Sequence, residues 1–351
     1  MFKRCLMPIL LTLCVAVPAF AQARTKLVVG MGSPILDASV AANVGVPLAM
    51  KYWDEQGLDV SIQPGNATMH LQALLGGTED IFYGGPATAF QAMEKGAKLR
   101  LVYLFVGKNI YFPVVPQTSA IRNVADLKGK TIGVASYASQ LTVIMKGLVS
   151  DVGLDPKRDI SIVEIGVGPQ AIAALRTGQV DAWGTFDAQI AGAEQRGLKL
   201  RELQSPYLDK LSLAALYIVR EDYYQKNQDA LEKFFRGVAE GTLFTMTNPE
   251  GAVHALWSSV PSSKSATLSD ADAMSAAMAI LRARMPAITP DTGTLFGQMT
   301  TQQVDDYQDF LAKSGMVTAK VDSAAVLAPE IWKKANEFDS GRVIAQAKAY
   351  K

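Results

Sequence analysis

The chain has 351 residues, 49% of them hydrophobic, with 34 basic against 33 acidic side chains and a net charge of +1. So even a balance argues against a basic face driven by net charge, and so against nucleic acid as a partner. Cys5 and Cys14 both stand at the extreme N-terminus, which leaves the body of the chain without a disulfide, a thiolate nucleophile or a cysteine metal site.

Lys3 and Arg4 precede an apolar run over residues 6–17 and then the small-residue stretches Ala19-Phe20-Ala21 and Ala21-Gln22-Ala23. This is the pattern of a secretory signal peptide, cleaved after Ala21 or Ala23. The run is shorter than the roughly 20 residues a bilayer core takes, and Leu13 stands before Cys14 where lipidation requires a small residue. The expected product is soluble and exported. The mature length exceeds what one hydrophobic core usually serves, so two lobes are expected.

Residues 26–30 read as a strand, 41–56 as a helix stopped at Gly57, and 59–63 as a second strand. The alternation continues with a helix at 67–75, a strand at 80–83, a helix at 87–95 and a strand at 99–106. It restarts with strands at 131–135, 160–165 and 181–185 and helices at 140–152 and 169–177. From residue 228 onward the pattern is helical, Leu231, Phe234, Phe235 and Val238 sharing one face at i, i+3, i+4 and i+7 spacing.

A stretch also occurs twice. Ala73-Leu74-Leu75-Gly76-Gly77-Thr78-Glu79-Asp80 is echoed by Ala174-Leu175-Arg176-Thr177-Gly178-Gln179-Val180-Asp181, about 100 residues on, too long a period for a solenoid and the size of a lobe. The expected fold class is α/β with two lobes, each a mixed, mostly parallel sheet flanked by helices, and a helical C-terminal region. The expected division is a signal peptide at 1–23, a first lobe at 24–112 plus 221–351, and a second lobe at 113–220. The apolar segments 111–116 and 213–220 are read as the two crossings of a hinge.

Catalytic signatures are missing: no Gly-x-Ser-x-Gly elbow, His-Glu-x-x-His pair or phosphate loop occurs. No catalytic residue, metal or cofactor is assigned, and an enzyme is not expected. In open α/β sheets ligands bind beyond the carboxyl ends of the strands. That rule selects residues 32–39, 65–70 and 84–88 in the first lobe, and 136–140, 166–170 and 184–189 in the second. The candidate ligand-binding residues are Ser33, Asn66, Thr68, His70, Pro86, Thr88, Ser136, Tyr137, Ser139, Trp183 and Asp187. Hydroxyls and amides at helix starts suit an anionic headgroup, and an aromatic wall suits an apolar or flat ligand body. No arginine or lysine lies in these six loops, so an anion would depend on backbone amides unless Lys108 or Arg220 reaches in. His254 is read as structural.

The run Trp53-Asp54-Glu55-Gln56-Gly57-Leu58-Asp59-Val60, the Ala-Leu-x-x-Gly-x-x-Asp echo, the run from Asp126-Leu127-Lys128-Gly129-Lys130 to Gly133-Val134, and Val180-Asp181-Ala182-Trp183 resemble the substrate-binding proteins of ABC importers for nitrate, alkanesulfonates, taurine and thiamine-pyrimidine precursors. The resemblance runs to about Asn248 and continues loosely to Phe338-Asp339. It implies a two-lobed periplasmic-binding-protein fold of type II, working in the periplasm as a monomer that closes on a small organic, anionic or aromatic ligand, sulfonate-like, and delivers it to a membrane permease with a separate ATPase. By the same resemblance Thr88 and the Ser136 region receive the anion. The family's aromatic-Asp-Pro stands here as Phe186-Asp187-Ala188, with the proline lost. An exported pyrimidine-precursor-type enzyme and a ligand-sensing domain are the alternatives on the same fold.

Overall fold

Each half of the chain is organised around one reciprocal clasp. Asp80 donates its N–H to Val28 O (3.0 Å) and accepts the Val28 N–H on Oδ2 (2.8 Å), and Asp181 does the same with Thr131 at 2.9 and 2.8 Å. Upstream of each aspartate a helix, Ala67–Gly76 or Pro169–Arg176, runs into a glycine of positive φ, Gly77 at 77° and Gly178 at 73°, a helix stop that glycine adopts without a Cβ penalty. The repeated sequence is therefore a helix stop followed by a strand clasp.

The computed structural model describes residues 23–137, 139–208 and 211–351, so residues 1–22 of the expected signal peptide, with both cysteines, lie outside the described residues. Ten strands are described: β1 (Thr25–Met31), β2 (Leu58–Pro64), β3 (Ile81–Gly84), β4 (Leu99–Val106), β5 (Tyr111–Pro116), β6 (Lys130–Val134), β7 (Ile160–Glu164), β8 (Ala182–Phe186), β9 (Leu200–Glu202) and β10 (Ala215–Arg220). They form two five-stranded sheets, ordered β2-β1-β3-β10-β4 and β7-β6-β8-β5-β9. β1 pairs parallel with β2 and β3, as β6 does with β7 and β8, while β10 and β5 run antiparallel to both neighbours. The sheets thus share one topology, in which the strand that enters each lobe after a crossing is inserted antiparallel at the fourth position.

This corrects the expected division. The segments read as crossings are β5 and β10 themselves, and β10 belongs to the first sheet, so a boundary at 220 cuts it from its own lobe. Residues 107–110 lie on one crossing and residues 203–208 and 211–214 on the other, tied together where Tyr111 donates its hydroxyl to Ala214 O (2.9 Å). The expected helix at 41–56 is also interrupted. A π turn (Ala41–Gly45) leads into Val46–Ala49, and Lys51, at φ 58°, separates this from Tyr52–Glu55. The backbone there is pressed onto the helices Gln228–Thr247 and Pro249–Ser259: a Cβ on Gly45 would lie 2.6 Å from Leu256.

Leu231, Phe234, Phe235 and Val238 form the buried stripe expected of them, and Phe234 and Phe235 pack on Tyr217 beneath the first sheet. The C-terminal helices straddle the lobes. Asp270–Ile288 packs on Asp187–Glu194, and Thr301–Lys313 packs on Gln140–Asp151, where Lys313 pairs with Asp151 at 2.7 Å. Among the described residues no helix is long and apolar enough to cross a membrane, and no cluster of side chains suits a metal ion.

Candidate functional site

The carboxyl ends of β1, β3, β6 and β8 converge where the lobes meet, and two polar bridges span the gap. In the first, Gln140 opens the helix Gln140–Asp151 of the second lobe, accepts the Ala87 N–H of the first lobe on Oε1 (3.2 Å) and donates Nε2 to the Tyr307 hydroxyl. The helix Ala87–Glu94 has no side-chain cap of its own, so Gln140 satisfies one of the donors a helix start leaves open. Gly85 permits this approach, since a Cβ there would stand 2.8 Å from Gln140.

The second bridge is ionic. Arg284 Nε donates to Asp187 Oδ2 (2.7 Å) and Nη2 to Oδ1 (2.5 Å), both side chains nearly fully buried. Arg284 reaches this point because Ala273, Leu281, Arg284 and Ile288 lie on the buried face of Asp270–Ile288. Asp187 is fixed in turn: its N–H donates to Ile110 O (2.9 Å) in the crossing between the sheets, and its Oδ1 accepts the Ala188 N–H (2.6 Å). Burial opposes the Arg284 charge, but attraction to Asp187 and the hydrogen bonds between them outweigh it and hold its pKa above the usual value. Burial pushes the nearby Tyr83 phenol up to about 12, with Arg284 pulling it down and Asp187 pushing it up.

Beside these bridges lies an interlobe cavity of about 730 Å³, walled by residues 34–38 after β1, Pro64 after β2, Gly168 and Pro169 after β7, Ala188 and Gln189 after β8, and the face of Asp270–Ile288 that includes Ala277 and Ile280. Its volume falls in the range of small-ligand pockets, roughly 300–1,000 Å³. Gln189 Oε1 accepts the Gly168 N–H (2.8 Å), which fixes the start of Pro169–Arg176 at this wall. Asp37 also lines the cavity. Burial raises its carboxyl pKa, while the Ser39 hydrogen bonds and Arg284 act the other way and Asp187 adds to the rise.

The sequence candidates divide. Asp187 lies at the lobe junction, and Pro86 adjoins the bridged Ala87. Thr88 follows, with Oγ1 buried and unpartnered among the described residues; it lines, with Thr68, a groove of about 420 Å³ between Ala67–Gly76 and Ala87–Glu94. Asn66 caps Ala67–Gly76 by accepting the Met69 N–H (2.9 Å), and the Ser33 hydroxyl closes a turn onto Ile35 O (3.0 Å). The Ser136 carbonyl accepts the Ser139 and Thr142 hydroxyls at 2.7 and 2.8 Å, so this serine and Ser139 shape the turn before Gln140. Tyr137 is 60% exposed.

Two candidates face the core instead of the cleft. His70 is fully buried, its Nδ1 2.8 Å from Glu79 Oε1, because Gly30 and Gly65 leave room for the imidazole inside the first lobe. Trp183, 1% exposed, packs with Val114, Ile172 and Ile190 inside the second lobe. Arg220 is likewise elsewhere, donating to Leu74 O and Glu79 O beyond the end of Ala67–Gly76. Arg284 and Asp37 were missed. The signal for Arg284 was a charge on the apolar stripe of a helix; for Asp37 it was a carboxylate in a loop already selected by topology.

Comparison with solved structures returns the same two-lobed architecture. A protein of Bordetella bronchiseptica RB50 superposes with a TM-score of 0.72 at 20% identity over 90% of this chain and 98% of its own. The alkanesulfonate-binding protein SsuA from Xanthomonas axonopodis pv. citri, bound to MOPS, gives 0.66 at 20% identity over 88% and 99%. The desulfurization enzyme DSZB gives 0.57 at 15% identity over 89% and 99%. Comparison with curated protein sequences gives no match. At these identities the likeness establishes the periplasmic-binding-protein fold, and binding proteins outnumber enzymes among such neighbours. A sequence-family profile described as NMT1/THI5 like matches residues 45–252, more than half of the chain, and the chain belongs to that family.

Proposed function

We propose that this protein is the periplasmic solute-binding component of an ABC importer, holding a small organic, sulfonate-like solute between its lobes and passing it to a membrane permease driven by a separate ATPase. The carrying observation is the interlobe cavity of about 730 Å³ at the carboxyl ends of β1, β2, β7 and β8, where α/β sheets place their ligands. The crossings that contain residues 107–110 and 211–214 are the hinge, and closure is favoured by the solute's contacts with both lobes. The alkanesulfonate-binding relative supports the ligand class. A binding role, rather than the desulfurization chemistry of DSZB, is supported by a lining without histidine or cysteine among the described residues. The protein acts as a monomer outside the inner membrane.

Thermal unfolding of the purified protein with a panel of alkanesulfonates, aromatic acids and pyrimidines tests this reading. A solute that binds only the folded state at 100 times its Kd adds about 2.7 kcal/mol of stability. A rise in Tm that saturates with one class supports it, whereas turnover of the bound compound would point to an enzyme.

A further inference from the structure

Asp37 places a half-buried carboxylate on the wall of the interlobe cavity. Its Oδ1 accepts both the Ser39 N–H (3.0 Å) and the Ser39 hydroxyl (2.6 Å), capping the turn Ala38–Val40. Its Oδ2 has no hydrogen-bond partner among the described residues, although Asp37 is part of the cavity wall. A cap needs a single acceptor, which asparagine or serine supplies without charge. The nearby guanidinium of Arg284 commits Nε and Nη2 to Asp187. The other cations on the wall are also engaged, Arg196 with Gly192 O (2.7 Å) and Lys264 with Asp270 (2.9 Å). Partial burial of a carboxylate that no cation contacts is costly, and the raised pKa of Asp37, which the charge of Arg284 only partly offsets, reflects it. An incoming cation is the group that removes that cost.

We propose that Asp37 is a specificity-determining residue of this cleft: Oδ2 receives a cationic nitrogen of the solute, an ammonium or amidinium, so that a solute carrying this group is bound in preference to one that lacks it. The apolar wall around it, Ile35, Leu36 and Ile172, accommodates the carbon body of such a solute. This assignment rests on the reading of the interlobe cavity as the solute site.

The test compares 3-aminopropane-1-sulfonate with butane-1-sulfonate, a probe of the same heavy-atom count without the nitrogen, and includes benzamidine as a cation without an anion. Calorimetric titrations use the wild-type protein and Asp37→Asn, which keeps an acceptor for the Ser39 N–H. The nitrogen-bearing probes are expected to bind the wild type at least about tenfold more tightly than butane-1-sulfonate, the lower end for a charge-assisted hydrogen bond. Asp37→Asn is expected to abolish that preference while holding butane-1-sulfonate within about threefold of wild type. Equal affinities in the wild type, a preference that survives in Asp37→Asn, or no binding of either nitrogen-bearing probe overturns the assignment. Native mass spectrometry of the protein as purified separates the two readings. A co-purifying solute without a basic nitrogen overturns the role of Asp37 and leaves the cleft as a solute site, whereas no solute together with no bound probe removes both.

Discussion

Arg284 and Asp187, 97 positions apart, form a bidentate ion pair that joins the C-terminal helix to the second lobe in the cleft between the lobes. Both are buried, so their attraction is set against the cost of removing two charges from water, and the pair is best viewed as a constraint on geometry. Removing one partner strands the other. Arg284→Met or Asp187→Leu alone is expected to destabilise the protein by about 3–5 kcal/mol, and the double substitution to recover most of that loss. A double-mutant cycle by chemical denaturation measures the coupling; additive losses would mean that the two side chains act independently.

Gly85 controls the other bridge. A Cβ at this position would meet Gln140 Cβ, Cγ and Oε1 at 2.8 Å, and the backbone there is not in the left-handed region. Gly85→Ala is therefore expected to leave each lobe folded but hold them apart. Small-angle scattering checks this as a larger radius of gyration than wild type, accompanied by weaker solute binding. Gln140→Ala, which removes the bridge without adding bulk, is expected to loosen the junction less. An unchanged radius in Gly85→Ala would mean that Gln140 swings aside and the lobes still close.

Local rules explain how much was legible in the sequence. The clasps at Asp80 and Asp181, the glycine stops and the strand–helix alternation are encoded within a few residues, so the repeat and the element positions could be read directly. The insertion of β5 and β10 as antiparallel fourth strands could not, because their apolar sequences suit a crossing and a central strand equally. Residues at the lobe junction were legible only where topology selected a loop, as with Asp187 and the Pro86–Thr88 turn. Arg284 comes to the cleft from a helix that the alternation does not contain. Its placement depends on packing between segments distant in sequence, which no local pattern carries.

Trp183 and Tyr137 separate core from cleft. Trp183 lies in the sealed interior of the second lobe and Tyr137 is 60% exposed. Trp183→Ala is expected to cost about 3–5 kcal/mol through the cavity it leaves, whereas Tyr137→Ala is expected to stay within about 0.5 kcal/mol of wild type. Urea denaturation of the solute-free variants measures both. A small loss at Trp183 would return that residue to the list of ligand contacts.

Asp37 predicts a pH dependence of the solute-free protein. Burial raises its carboxyl pKa in the folded state, with Ser39 and Arg284 opposing the rise and Asp187 adding to it. A carboxyl whose folded pKa exceeds its unfolded value of about 3.9 binds its proton more tightly when folded, so its contribution to stability falls as pH rises from there through the folded pKa. Asp37→Asn removes this titration while keeping the cap on the Ser39 N–H. The variant is therefore expected to match wild type below about pH 3.9 and to become progressively more stable than wild type above it, levelling off once the folded carboxyl has ionised. Melting temperatures of both proteins across pH 3.5–8 measure the gap. A gap that narrows as pH rises would mean that ionised Asp37 stabilises the empty fold, reversing the sign of its role.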